Sequence, residues 1–299
     1  MKILKVLLAG EILAEKQYLM DKVPGVKDVG MVDEVNYLTS SKIINAGRIL
    51  AVGNKVSMFG VVGEDSDGKR AIKDFEKYRI DSSLVYATPK APTGQVLVLT
   101  NKEGQSGFVV YLSANNYFEL SRLESFFGYD YVYVATSMRL PELYKLIDRA
   151  NTEGIKMFLD IPSQQKELDK TKLKTVEFVV PNRQEAEKLL GVRIETIEGA
   201  LNAVRKLKSY TDGNAIITLD KDGCVVFGKD WGESKHFPTK NTQVVDETGS
   251  GDIFRGAVLA RYLKTRDLEK AIKRALEIAT VSIGIKGVDN SIKHCQTLI

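Results

Sequence analysis

The sequence is poor in residues that build metal and disulfide frameworks. Its 299 residues include two cysteines, Cys224 and Cys295, and two histidines, His236 and His294. Neither pair has zinc-like spacing, and so few cysteines fit a reducing compartment. No run of 18 apolar residues occurs, so nothing is long enough to span a bilayer. No block of five or six like charges is present and the net charge is +4. Neither nucleic acid nor a membrane is therefore the expected partner. The opening MKILKVLLAGEILAEK has one short apolar run that meets Glu11, Glu15 and Lys16 without a small-residue cleavage site. It reads as a buried strand, not a signal peptide, and a cytoplasmic location is expected. Internal repeats, low-complexity tracts and Pro/Gly linkers are also missing, which favours one domain over residues 1–299.

What remains is a globular composition, 43% hydrophobic. Ile3–Leu8 and Val56–Val62 read as buried strands. YVYVA (131–135), KMFLD (156–160), EFVVP (177–181) and AIITL (215–219) read the same way. Helical spacing is expected over Ser41–Val52, Arg70–Tyr78, 141–153, near 164–173, after Asn182, and over 250–264 and 267–284, the last two closing the chain. CVVFG (224–228) should form a hairpin with AIITL. Strands alternating with helices predict an α/β fold, a mostly parallel sheet covered on both faces. The more polar pieces near 11–38 and 92–113, with a hairpin around NKEGQ, break that rhythm and are assigned to a small β-sheet lid.

The most informative stretch is DETGSGD, Asp246–Asp252, at the start of a helix rich in small and apolar residues. A helix start leaves N–H groups unpartnered and carries about half a positive charge. Gly249 and Gly251 leave the backbone bare for an approaching oxyanion, and Ser250 is small. Two glycines cost about 1 kcal/mol each inside a helix, so something should require them. Asp252 in the first turn either steadies the helix dipole or accepts a proton from an attacking hydroxyl. Other phosphate loops fit less well. A dinucleotide fingerprint needs glycine where Phe254 stands, and GEDSDGKR (Gly63–Arg70) has Arg70 where a Walker loop needs Ser or Thr.

With these residues in view, the chain resembles the ribokinase-like, or PfkB, carbohydrate kinases, whose signature D-T-x-G-A-G-D is matched by Asp246–Asp252 except at Glu247 and Ser250. Further similarities follow in order. VVPNRQEAEKLLG carries N-x-x-E at Asn182 and Glu185, and GEDSDG resembles the G-x-D-x-x-G turn. TLDKDG holds Thr218, Asp220 and Gly223 where the family has T-L-G-x-x-G, and IKGVDNS holds Gly287. The N-x-x-E pair also reads as an ordinary helix cap.

The resemblance implies a Rossmann-like central sheet of eight or nine strands with a β-lid. It implies transfer of the γ-phosphoryl of ATP to a hydroxyl of a small sugar or sugar derivative. Asp252 would be the general base, the Gly249–Ser250–Gly251 amides the anion hole, and Asn182 and Glu185 the pair that positions Mg2+ through water. Thr218, Asp220, Gly223 and Gly287 would lie near the nucleotide. Asp246, Thr248 and Ser291 match positions that hold K+ in cation-activated members, and lid-to-lid homodimers occur in the family. The departures fall on the acceptor side. Ser40 and Ser41 replace a glycine pair, while Lys42, Asn45 and Asn115 keep their places. Glu15 replaces an Asp, either gripping the acceptor or lying exposed on the lid. Arg139 suits a carboxylate or phosphate on the acceptor, or simply faces solvent. A nucleoside kinase and a catalytically silent sugar-binding regulator are the alternative readings.

Overall fold

The computed structural model describes residues 3–103, 105–135, 138–161 and 167–299. The strands in chain order are β1 (Lys5–Gly10), β2 (Leu13–Met20), β3 (Val32–Ser40), β4 (Lys55–Gly63), β5 (Ile80–Thr88), β6 (Gly94–Thr100) and β7 (Ser106–Tyr111). They continue as β8 (Tyr131–Ala135), β9 (Lys156–Asp160), β10 (Phe178–Val179), β11 (Asn214–Thr218), β12 (Cys224–Phe227) and β13 (Lys235–Phe237). The helices are α1 (Lys42–Leu50), α2 (Ser66–Lys77), α3 (Leu140–Thr152), α4 (Arg183–Leu190), α5 (Ile197–Lys208), α6 (Ser250–Thr265), α7 (Leu268–Ser282) and α8 (Val288–Gln296).

Among the described residues the main sheet has nine strands, ordered β13-β12-β11-β10-β9-β8-β1-β4-β5. Every neighbouring pair from β11 to β5 is parallel, and β12 and β13 extend the edge antiparallel. Period-two alternation divides the core. Val6 and Leu8 of β1 and Tyr131 and Tyr133 of β8 face the layer containing α1, α6, α7 and α8. Leu7, Ala9, Val132 and Val134 face α3, α4 and α5. Strands buried on both faces must be apolar throughout, which is why the buried runs were readable as strands. A second, four-stranded sheet runs β3-β2-β6-β7, with β6 and β7 as the antiparallel hairpin expected around NKEGQ.

Several expectations change. Helix α2 begins at Ser66, because Asp65 caps it by accepting from the Gly68 amide at 2.8 Å. GEDSDGKR is thus largely the helix's own first turn. Three helices close the chain, since Val288–Gln296 forms α8 where a loop was expected over 285–291. Strand β5 and helix α5 were not anticipated. Of the helix expected near 164–173, residues 164–166 lie outside the described residues, and Lys170–Leu173 is a short 3-10 turn.

Candidate active site

The carboxyl ends of the parallel strands supply the frame. Asp160 ends β9, Asn182 follows β10, and Thr218 ends β11, bridged to Asn182. Ligands bind in this crevice in open α/β sheets. Helix α6 meets that edge through a tight turn. Gly249 has φ of +77°, a left-handed conformation that favours glycine, and a Cβ there would lie 2.5 Å from Val288 Cγ2. Among the described residues the amides of Gly249, Gly251 and Asp252 have no backbone acceptor. The Ser250 amide is committed, donating to the Glu247 carbonyl at 3.1 Å. Of the three amides expected from the sequence, those of Gly249 and Gly251 are bare and that of Ser250 is not, while the Asp252 amide is bare in its place.

Asp252 is buried behind that turn. Its Oδ2 accepts from Asn45 Nδ2 at 3.0 Å, and its Oδ1 lies 4.0 Å from Arg255 Nη1. This meeting depends on Gly256, where a Cβ would fall 2.6 Å from the Ala46 carbonyl oxygen. The backbones of α1 and α6 touch, and Asn45 is carried to Asp252. Burial raises the Asp252 carboxyl above its ordinary range, against the opposing effects of Arg255, the Asn45 hydrogen bond and Lys42.

Asn182 and Glu185 form a capping box on α4. Asn182 Oδ1 accepts from the Glu185 amide and Glu185 Oε2 from the Asn182 amide, both at 2.8 Å. Glu185 Oε1 also accepts from Lys42 Nζ at 2.9 Å. Burial alone would raise Glu185, but Lys42 and Arg255 hold it below the usual carboxylate range. For Lys42, burial is outweighed by Asp160 and Glu185, which hold the ammonium above its ordinary value.

A cavity of about 350 Å3 opens beside this cluster. One end is polar, with Lys42, Asn182, Ser250, Gly251 and Arg255. The other carries Val244, Leu276, Ala279 and Ile283, and Thr218, Asp220 and Gly223 lie along the wall. Asp220 has φ of 52°, left-handed at a residue other than glycine, where the resemblance expects glycine. Arg183 pins this loop through the Leu219 carbonyl (3.2 Å) and Asp222 (2.6 Å).

The acceptor-side residues divide. Glu15 is buried; burial first, then Asp252, raises its carboxyl, opposed by a hydrogen bond with Ser40. The reading of Glu15 as an exposed lid residue is thus set aside. Ser40 Oγ donates to Asn45 Oδ1 at 3.4 Å, and Ser41 Oγ donates to the Glu11 carbonyl at 2.9 Å. Asn115 is occupied by backbone. Its Oδ1 accepts from the Ile12 amide, and its Nδ2 donates to the Ile12 and Leu112 carbonyls, at 2.9 to 3.0 Å. It clamps the turn between the sheets. Arg139 is exposed at the start of α3 and borders a separate recess with Gly10 and Asn115, which Asp252 does not line.

Asp246 ties two loops, accepting from the Thr248 amide and the Gly287 amide at 2.9 Å each. Ser291 is buried, its hydroxyl donating to the Val288 carbonyl at 3.0 Å. No group of three or more His, Cys, Asp or Glu side chains suited to a metal occurs among the described residues.

Sequence reasoning passed over Asp160, Arg255 and the α7 side chains of the cavity. Arg255 had one signal, a single charge in the otherwise apolar stretch IFRGAVLA.

The family model described as pfkB family carbohydrate kinase matches residues 42–295. A deoxyribokinase of Salmonella typhi is 26% identical over 244 residues, 80% of this chain and 79% of its own length. A ribokinase of Mus musculus is 28% identical over 265 residues, 87% of this chain and 81% of its own. The structure of Arabidopsis thaliana ribokinase complexed with ribose and ATP matches with a TM-score of 0.85 over 99% of both chains, at 19% identity, a likeness of fold. The chain belongs to the pfkB family of carbohydrate kinases.

Proposed function

We propose that the protein transfers the terminal phosphoryl group of ATP to a hydroxyl of a small sugar or sugar derivative, with Asp252 as general base. The observation that carries this reading is the buried Asp252, held by Asn45 directly behind a turn whose Gly249 and Gly251 amides are unpartnered. The acceptor lies near Glu15, Ser40, Ser41 and Asn45. Its hydroxyl proton passes to Asp252, and its oxygen forms a bond to the terminal phosphorus. The bond from that phosphorus to the bridging oxygen breaks, and the electron pair stays with the departing ADP. The bare amides and the positive helix end meet the charge on the transferring group. ATP suits the cavity because its polar end carries Lys42 and Arg255 while its other end is apolar.

Both Glu185 oxygens already accept hydrogen bonds, so Glu185 and Asn182 suit a hydrated Mg2+ held through water, not direct ligation. Such an ion supplies charge neutralisation at the phosphates. Asp246, Thr248 and Ser291 are the corresponding proposal for K+.

The test is ADP formation with ATP and Mg2+ over a panel of ribose, deoxyribose, fructose, sugar acids and nucleosides. One sugar should stimulate turnover well above the others. Stimulation confined to nucleosides would replace this reading with a nucleoside kinase. An acceptor that raises the melting temperature without stimulating turnover would replace it with a binding protein.

A further inference from the structure

Arg255 lies one helical turn after Asp252 with 3% of its surface exposed, and it lines the cavity beside Lys42 and Gly251. Its Nε is anchored, 3.2 Å from Asp160 Oδ1 and 3.4 Å from the Val180 carbonyl. Its terminal nitrogens are not. Nη1 stands 4.0 Å from Asp252 and Nη2 3.8 Å from Glu185, both beyond hydrogen-bond range. Neither donates a hydrogen bond to any described residue. A guanidinium carries five N–H donors in a rigid fork, and neither Nη atom is among the fully buried side-chain atoms left without a partner, so both open onto the cavity. Pairing with Asp160 explains Nε and leaves the fork unexplained.

Gly251 fixes where the fork sits. A Cβ there would lie 2.9 Å from Nη1, so the guanidinium is packed against the bare backbone of the anion-facing turn. Asp160 holds Nε, with Lys42 and Tyr133 as further charged or titratable neighbours.

We propose that Arg255 is a second anion-binding group of the site, whose Nη1 and Nη2 donate to oxygens of the terminal phosphoryl group. This rests on the phosphotransfer reading and deepens it. Arginine suits the task because its fork matches phosphate oxygens bidentately and keeps its charge when buried. It takes no part in bond making; it meets the charge on the transferring group with a positive charge already in place.

The experiment compares the full-length chain with Arg255→Gln, Arg255→Lys and the double variant Asp160→Asn/Arg255→Gln. Arg255→Gln alone strands a buried carboxylate and should lower the melting temperature; the double variant removes both charges and should recover it. The double variant is expected to lose about 10²–10³-fold in kcat, with KM for the acceptor unchanged. It should also bind a non-hydrolysable ATP analogue more weakly while binding ADP as before. Arg255→Lys should recover part of the turnover. A double variant with wild-type turnover and wild-type analogue affinity would make Arg255 only the counter-ion of Asp160, overturning the proposal. A wild-type chain that transfers phosphate to no acceptor would sink the phosphotransfer reading instead. The analogue-against-ADP comparison would then still decide the role of Arg255.

Discussion

Asn45 Nδ2 donates to Asp252 Oδ2 at 3.0 Å, joining the first helix of the chain to the start of α6. This hydrogen bond favours the ionised carboxylate, while burial favours the neutral acid and prevails. A base must be ionised to accept a proton, so turnover should rise as pH climbs through the raised Asp252 pKa and fall below it. Asn45→Ala removes a stabiliser of the charged form, so the acid limb should move to higher pH. A kcat profile between about pH 5 and pH 9 checks this; an acid limb unmoved by Asn45→Ala would contradict it.

The same contact depends on the close approach at Gly256. Gly256→Ala places a methyl 2.6 Å from the Ala46 carbonyl oxygen, and two helix backbones cannot both stay. The substitution should cost about 1–3 kcal/mol of stability as overpacking. It should also lower turnover, because Asn45 is displaced from Asp252. Urea unfolding and kcat, measured on one preparation, test both parts.

These two residues illustrate what was legible in the sequence. DETGSGD announced the turn because glycine and a helix start carry local signals, and runs such as KMFLD announced strands buried on both faces. Strand β5 was missed because IDSSLVYAT is an edge strand whose polar and half-exposed positions blur the pattern. The first turn of helix α8 carries Asp289, Asn290 and Ser291 after Val288, turn-forming residues that read as a loop. The role of Asn115 was obscured for another reason. An amide that serves backbone carbonyls and one that serves a ligand look alike in sequence. Arg255, Asp160 and Glu185 come from α6, β9 and α4, so only the sheet order brings them together.

Asp220 offers a backbone test. At φ of 52° a side chain with a Cβ is strained, although Asp tolerates it better than most residues. Asp220→Gly should stabilise the chain by about 0.5–1 kcal/mol, and Asp220→Val should destabilise it by about 1–2 kcal/mol. Equal urea midpoints for both variants would show that the loop shifts to avoid the strain.

The small sheet makes a prediction about assembly. Its edge strand β7 leaves Phe108, Val109, Val110 and Tyr111 each 52–57% exposed. An unpaired apolar edge invites another chain, and we propose that a second copy covers it. Light scattering should give a dimer mass for the full chain and a monomer mass for Val109→Lys. A monomeric wild-type chain at micromolar concentration would contradict this.

The most direct test of the account is turnover by Asp252→Asn, measured together with its affinity for a non-hydrolysable ATP analogue. Asparagine keeps the shape and loses the proton acceptor, so kcat should fall about 10²–10⁴-fold while the analogue binds as tightly as to the wild type. Wild-type turnover in that variant would remove Asp252 from the chemistry, and with it the proposed reaction.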